Sequence, residues 1–320
     1  MKTTLTLLFT FVVSLSFAQE QFFVNAVNGL SCRVKPDADS EKVGKLPYGT
    51  IVELVTTTLV KLSITENKEI IEGNWVKVKY DDFPFIVSTN GVTGFSKEVY
   101  VFNGYLEPLN KATIEIETIS ENEFKAYHAK SIQNKSDRYE VTDNAKIKSL
   151  LLNKATWTPL DDLNEYLILD ALKLDNGQYL KINQESNDYS VIAYYPSEEI
   201  LLFEGGHTSD YSISIKTGET LTTVGNPEYI IKSAYDDLQL NGHFPGQECS
   251  NYFFQEIKDG SFMYLTNFGW GSVNGDDVCN FKKFLWIKKK QFVYSYLAYS
   301  KDHDDGILKY KKGSIIKNEK

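Results

Sequence analysis

Three cysteines and four histidines are the side chains of this 320-residue sequence that could supply a nucleophile, a base or a metal ligand. Cys249, in Glu248-Cys249-Ser250-Asn251, is the first to weigh. A cysteine nucleophile needs a histidine within hydrogen-bond reach to draw off its proton and a third polar group to orient that histidine. Only His303 follows Cys249, in the acidic run Lys301-Asp302-His303-Asp304-Asp305, and Tyr252-Phe253-Phe254 continues from Asn251 as an apolar strand. Cys249 is therefore read as structural, with Cys279 as a disulfide partner or with both as free thiols. Cys32, inside Gly29-Leu30-Ser31-Cys32-Arg33-Val34, reads as a small buried hydrophobe.

The histidines 128, 207, 243 and 303 form no HxH or HExxH pair and the cysteines no CxxC pair, so no metal site or cofactor is expected and each histidine is assigned to the surface. Asp276-Asp277 and Asp302, Asp304 and Asp305 carry Ca²⁺-type oxygens without the spacing of a Ca²⁺ loop, which favours solvated loops. The adjacent acids Asp161-Asp162 and Glu198-Glu199 would point apart on strands, so they make no glycosidase dyad. Aromatic residues carry the binding reading. Trp75 alternates with Val76, Val78 and Tyr80 and shares a face with Lys77 and Lys79, which makes it the candidate platform for a peptide or a sugar. An alternative has residues 56–72 folding over Trp75 and burying it. Tyr48, Phe85, and Tyr100 or Tyr105 are further groove candidates, and Trp270, between glycines, is a candidate loop contact.

Strands must position these residues. Residues 22–109 alternate short apolar runs with Asn28-Gly29, Pro36-Asp37 and Pro47-Tyr48-Gly49 turns, with residues 56–72 as an insertion-like hairpin and residues 98–105 as a last strand. Residues 111–308 open with the alternating run 111–119. Two short helices are predicted next, one behind a Ser120/Glu123 capping box and one capped by Thr142 or Asp143 with Ile147, Leu150 and Leu151 on one face. Turn signals then recur about every ten residues, the mark of antiparallel hairpins. Residues 309–320 read as a polar, basic tail. The fold class expected is mainly β, an N-terminal barrel followed by a β-rich antiparallel C-terminal domain with one or two short helices.

Lys2 followed by an apolar stretch and Ser16-Phe17-Ala18 reads as a signal peptide over residues 1–18, so the protein is expected to be exported, periplasmic or secreted. The apolar stretch is too short for a bilayer and no later run is longer, so the mature chain is expected to have no integral membrane segment. A net charge of -9 argues against nucleic acid as a partner.

The run Gly29 to Asp37, the Gly-turn-strand unit from Lys45 to Val55, the strand Trp75-Val76-Lys77-Val78 and the closing segment from Gly91 to Val101 resemble the bacterial SH3 (SH3b) domain family. The resemblance covers residues 22–109 only. It implies an SH3-like barrel that recognises a cell-wall peptide or an envelope protein; with no complete catalytic constellation in the chain, binding without catalysis is expected. Such domains often accompany cell-wall cysteine peptidases, so a peptidase using Cys249 is one alternative and a structural envelope protein without a small ligand is another.

Overall fold

Period-two alternation folds the first part of the chain into one strongly curled sheet. A computed structural model describes residues 21–318, apart from 27–28, 47–49, 67, 81–85, 89–96, 110, 131–137, 159–165, 176, 178, 183–188, 206–207, 219–223, 247–248, 259–260, 270–278 and 301–302. The strands are β1 (Gln21–Val24), β2 (Leu30–Arg33), β3 (Lys42–Leu46), β4 (Ile51–Glu66), β5 (Glu69–Tyr80), β6 (Ile86–Ser88), β7 (Lys97–Phe102) and β8 (Leu106–Pro108). All but β6 join in the order β3-β2-β7-β5-β4-β1-β8. Its concave side closes over Val24, Leu30, Cys32, Leu46, Val52, Val76, Val78, Tyr80, Val99 and Val101. Cys32 is fully buried there, and burial pushes its thiol up to about 12.

The expected last strand over 98–105 is broken. Residues Asn103–Tyr105 form a 3₁₀ turn between β7 and β8, because the Asn103 side chain accepts the Asn74 N–H at 2.7 Å. The 56–72 stretch is a hairpin, as expected, but it is continuous with the sheet. It is the outer half of a continuous β4–β5 ribbon that reverses at Lys68, a non-glycine residue with φ 72°.

Beyond Pro108 come β9 (Ala112–Thr118), α1 (Glu121–Lys130), α2 (Asn144–Leu150), β10 (Ala155–Trp157), β11 (Leu169–Lys173), β12 (Tyr179–Ile182), β13 (Ser190–Tyr195), β14 (Ile200–Glu204) and β15 (Asp210–Ser214). They are followed by β16 (Ile231–Lys232), β17 (Leu238–His243), β18 (Asn251–Lys258), β19 (Ser261–Gly269), β20 (Phe281–Lys288), β21 (Gln291–Ser300) and β22 (His303–Lys317). The capping box exists: Ser120 N–H donates to Glu123 Oε2 at 2.8 Å and Glu123 N–H to Ser120 Oγ at 3.3 Å. Asp143 caps α2 by accepting the Lys146 N–H at 2.7 Å. Ile147 and Leu151 are buried, whereas Leu150 is half exposed.

These strands make four antiparallel sheets that stack in chain order, so the protein is mainly β with two short helices among the described residues. The sheet β10-β11-β12 packs Leu169, Leu172 and Leu180 against Leu201, Phe203, Tyr211 and Ile213 of β13-β14-β15. The sheet β16-β17-β18-β19 meets β20-β21-β22 through an aromatic layer, with Phe254 5.0 to 6.2 Å from the rings of Phe268, Phe284, Trp286 and Phe292. Phe124 of α1 covers the far side with Leu285 and Val293. Between β13-β14-β15 and β16-β17-β18-β19 lies a polar layer in which Gln239 donates to Gln255 Oε1 at 2.7 Å and Asn241 to the Val224 carbonyl at 2.6 Å. No helix among the described residues is long and apolar enough to cross a membrane.

Two features bear on the ends of these regions. Residues 309–317, read as part of a polar tail, belong to β22, hydrogen-bonded to β21 on one side and β9 on the other. Ile315 is buried in the aromatic layer, while Lys312 and Lys317 pair with Glu117 and Glu256. The division near residue 110 is also crossed. Strand β6 completes the sheet of β12, and Phe23 and Ile51 share a core with Leu109, Phe253 and Tyr264.

Candidate functional site

The β4–β5 ribbon is longer than the sheet it springs from, so its outer half must cover something or hang in solvent. A register shift between Thr57 and Lys61 bulges β4 and bends it. The bulge is fixed by Thr58, whose hydroxyl donates to the Trp75 carbonyl at 2.7 Å, and by Asn74, whose amide donates to the Thr58 carbonyl at 2.9 Å. Past the bend, Leu62, Ile64 and Glu66 share one face of β4 by period two. That face looks onto the end of β7 and the 3₁₀ turn. Close approach requires glycine here: a Cβ on Gly73 would run into Asn103 and the Phe102 ring, and one on Gly104 into Phe102 and Ile71.

Between ribbon and module lies a cleft of about 570 Å³, within the range of ligand sites. Trp75, Phe102 and Tyr105 give it an aromatic lining, Leu62 and Ile64 an aliphatic wall, and Glu66 and Arg33 its charges. Asn25, Ala26, residues 29–31 and Ala38 complete it. The Phe102 and Tyr105 rings meet edge to face at 5.8 Å. Tyr105 donates its hydroxyl to Glu66 Oε2 at 2.8 Å, tying the tip of the ribbon to the 3₁₀ turn. Loss of solvent, and then the bond to Glu66, push the Tyr105 phenol above its ordinary pKa. Asn25 is held by Glu107, itself paired with Lys111, and Arg33 donates to the Ser40 carbonyl.

Two of the residues singled out from the sequence, Trp75 and Tyr105, thus line one cleft. Trp75 is not an exposed platform; it is buried, as the alternative reading had it. Only 4% of its surface is accessible, because it lies at the base of the ribbon opposite Phe102 on β7. Tyr48, Phe85 and Trp270 lie outside the described residues, as do Asp161-Asp162, Asp276-Asp277 and His207. Sequence reasoning missed Leu62, Ile64, Glu66, Phe102 and Arg33. The alternation Leu62-x-Ile64-x-Glu66 was the signal that could have found the wall, had residues 51–66 been read as one strand.

The remaining chemical candidates are placed elsewhere. Cys249 and Cys279 form a disulfide with Cα atoms 4.4 Å apart, so Cys249 offers no thiolate while the bond is intact. Beside the bond, Ser250 Oγ donates to Asn280 Oδ1 at 2.9 Å and lies 3.1 Å from the Tyr229 hydroxyl. His243, assigned from the sequence to the surface, is buried, because β17 lies inside the stack with both faces covered; burial lowers its pKa to about 4. Among the described residues no group of three histidine, cysteine or acidic side chains is placed to hold a metal. No family model matches this chain, and neither a curated protein nor a solved structure matches it.

Proposed function

We propose that this is an exported binding protein whose N-terminal module, resembling SH3b domains, recognises a cell-wall peptide or an envelope protein in the cleft under the β4–β5 ribbon. The observation that carries the reading is the cleft itself, where a bent ribbon holds an apolar wall over an aromatic lining with one carboxylate and one guanidinium at hand. A curled sheet around a single apolar core suits the small barrel that the resemblance implies. Aromatic groups supply contact area at low entropic cost, and a few polar groups fix orientation, which is the composition of a peptide groove. The chain performs no chemistry in this reading, and export places it in the periplasm or outside the cell.

Retention of the signal-free chain on purified peptidoglycan sacculi tests this reading. Leu62→Asp puts a charge on the half-buried wall, and it is expected to lower retention at least tenfold with the thermal midpoint nearly unchanged. Retention of Leu62→Asp equal to that of the parent would remove the cleft as the binding site. No retention of the parent would remove the cell-wall version and leave the envelope-protein version.

A further inference from the structure

Glu66 is a carboxylate with capacity to spare at the edge of an aromatic cleft. Tyr105 occupies Oε2, and among the described residues no cation pairs with Glu66. Its cross-strand neighbour is Glu69, another exposed acid on the same ribbon face, a like-charged pair that a cation would relieve. Trp75, Phe102 and Tyr105 line the same cleft as Glu66 and give an alkyl-ammonium stem an aromatic surface to pack against. Arg33, the cation of the cleft, is turned to the Ser40 carbonyl and restrained by that bond. A net charge of -9 draws cations toward the surface as a whole.

We infer that the cleft selects a peptide bearing an aliphatic primary amine, with the ammonium on Glu66 and its methylene stem between Leu62, Ile64 and the aromatic lining. This rests on the reading of the cleft as a peptide site. Arg33 then faces the carbonyl or carboxylate side of the same ligand, through the guanidinium N–H groups not given to Ser40.

The test uses the signal-free full chain with indole-¹⁵N tryptophan, the Trp75 resonance being identified by Trp75→Phe. The probes are Nα-acetyl-lysine methylamide and its Nε-acetylated counterpart. The capped lysine is expected to shift the Trp75 resonance with saturation in the millimolar range, and Nε-acetylation to weaken binding about tenfold. Glu66→Gln, at an exposed position that leaves the fold intact, is expected to lose the same factor for the amine and nothing for the acetylated probe. Added salt should weaken only the amine, because screening acts on the charge pair. Equal binding of the two probes, or no response to either, overturns the amine assignment. Sacculus retention separates this failure from that of the broader reading: retention that Leu62→Asp abolishes leaves the cleft as a peptide site without amine selectivity, whereas retention indifferent to Leu62→Asp removes the cleft altogether.

Discussion

The N-terminal module and the C-terminal stack use the same material, antiparallel strands of alternating polarity, to opposite ends. In the stack, nearly every sheet face is covered by the next sheet or by α1, and β14 and β17 are buried on both sides. In the module, one strand pair outgrows its sheet, bends at a bulge and leaves a cleft beneath it. A covered face contributes stability through apolar burial, whereas an overhanging ribbon contributes a recess with unspent polar groups. Under the proposed function this difference is a division of labour, the stack holding the module and the ribbon forming the binding cleft.

Changes in the stack should therefore move stability and leave the cleft's affinity alone. Phe292, fully buried among Phe254, Phe268 and Phe284, is the most severe place to test this: Phe292→Ala should cost about 3–5 kcal/mol by cavity formation, read from denaturant unfolding. The Cys249–Cys279 bond spans 30 residues, so the double variant Cys249→Ser/Cys279→Ser should lose roughly 3.5 kcal/mol by the chain-entropy relation. Sacculus retention of whatever fraction stays folded should be unchanged in both. A parallel loss of affinity would break the comparison.

Acid should act on the stack next. His243 has its pKa lowered by burial to about 4, below its unfolded value near 6.5, so the neutral ring is favoured in the folded state. The stability linked to it is fully present above about pH 6.5 and is lost as pH falls toward 4, an effect on the order of 3 kcal/mol. Asp210, pushed upward by burial, acts in the opposite sense over the acid range. His243→Gln should flatten the dependence of the unfolding midpoint between pH 7 and 4.5, and an unchanged slope would contradict the assignment. The smallest effect on stability belongs to the cleft: Tyr105→Phe removes a hydroxyl bonded to the exposed Glu66 and should cost under about 1 kcal/mol, while lowering sacculus retention severalfold.

Much of the local structure was legible in the sequence because its causes are local. The Ser120/Glu123 box, the Asp143 cap, the β11–β12 hairpin with Gly177 at φ 79° and the placement of Val76, Val78 and Tyr80 in the core all follow from neighbouring residues. What escaped depends on partners far along the chain. Lys309, Lys311 and Lys312 make β22 look like a tail, and only pairing with β9, nearly two hundred residues earlier, makes it a central strand. The face of Trp75 was readable, but its burial depends on where a bulge sends residues 61–66. For the same reason the sequence exposed Trp75 and Tyr105 as candidates and hid Leu62, Ile64 and Glu66.

Amide hydrogen exchange of the chain from residue 19 onward, with and without solubilised cell-wall peptides, tests the central claim most directly. The account predicts added protection confined to the β1–β2 turn, residues 60–66 and residues 102–106, with the stack unchanged. Protection centred on the stack, or spread evenly over both regions while the peptides bind, would contradict it.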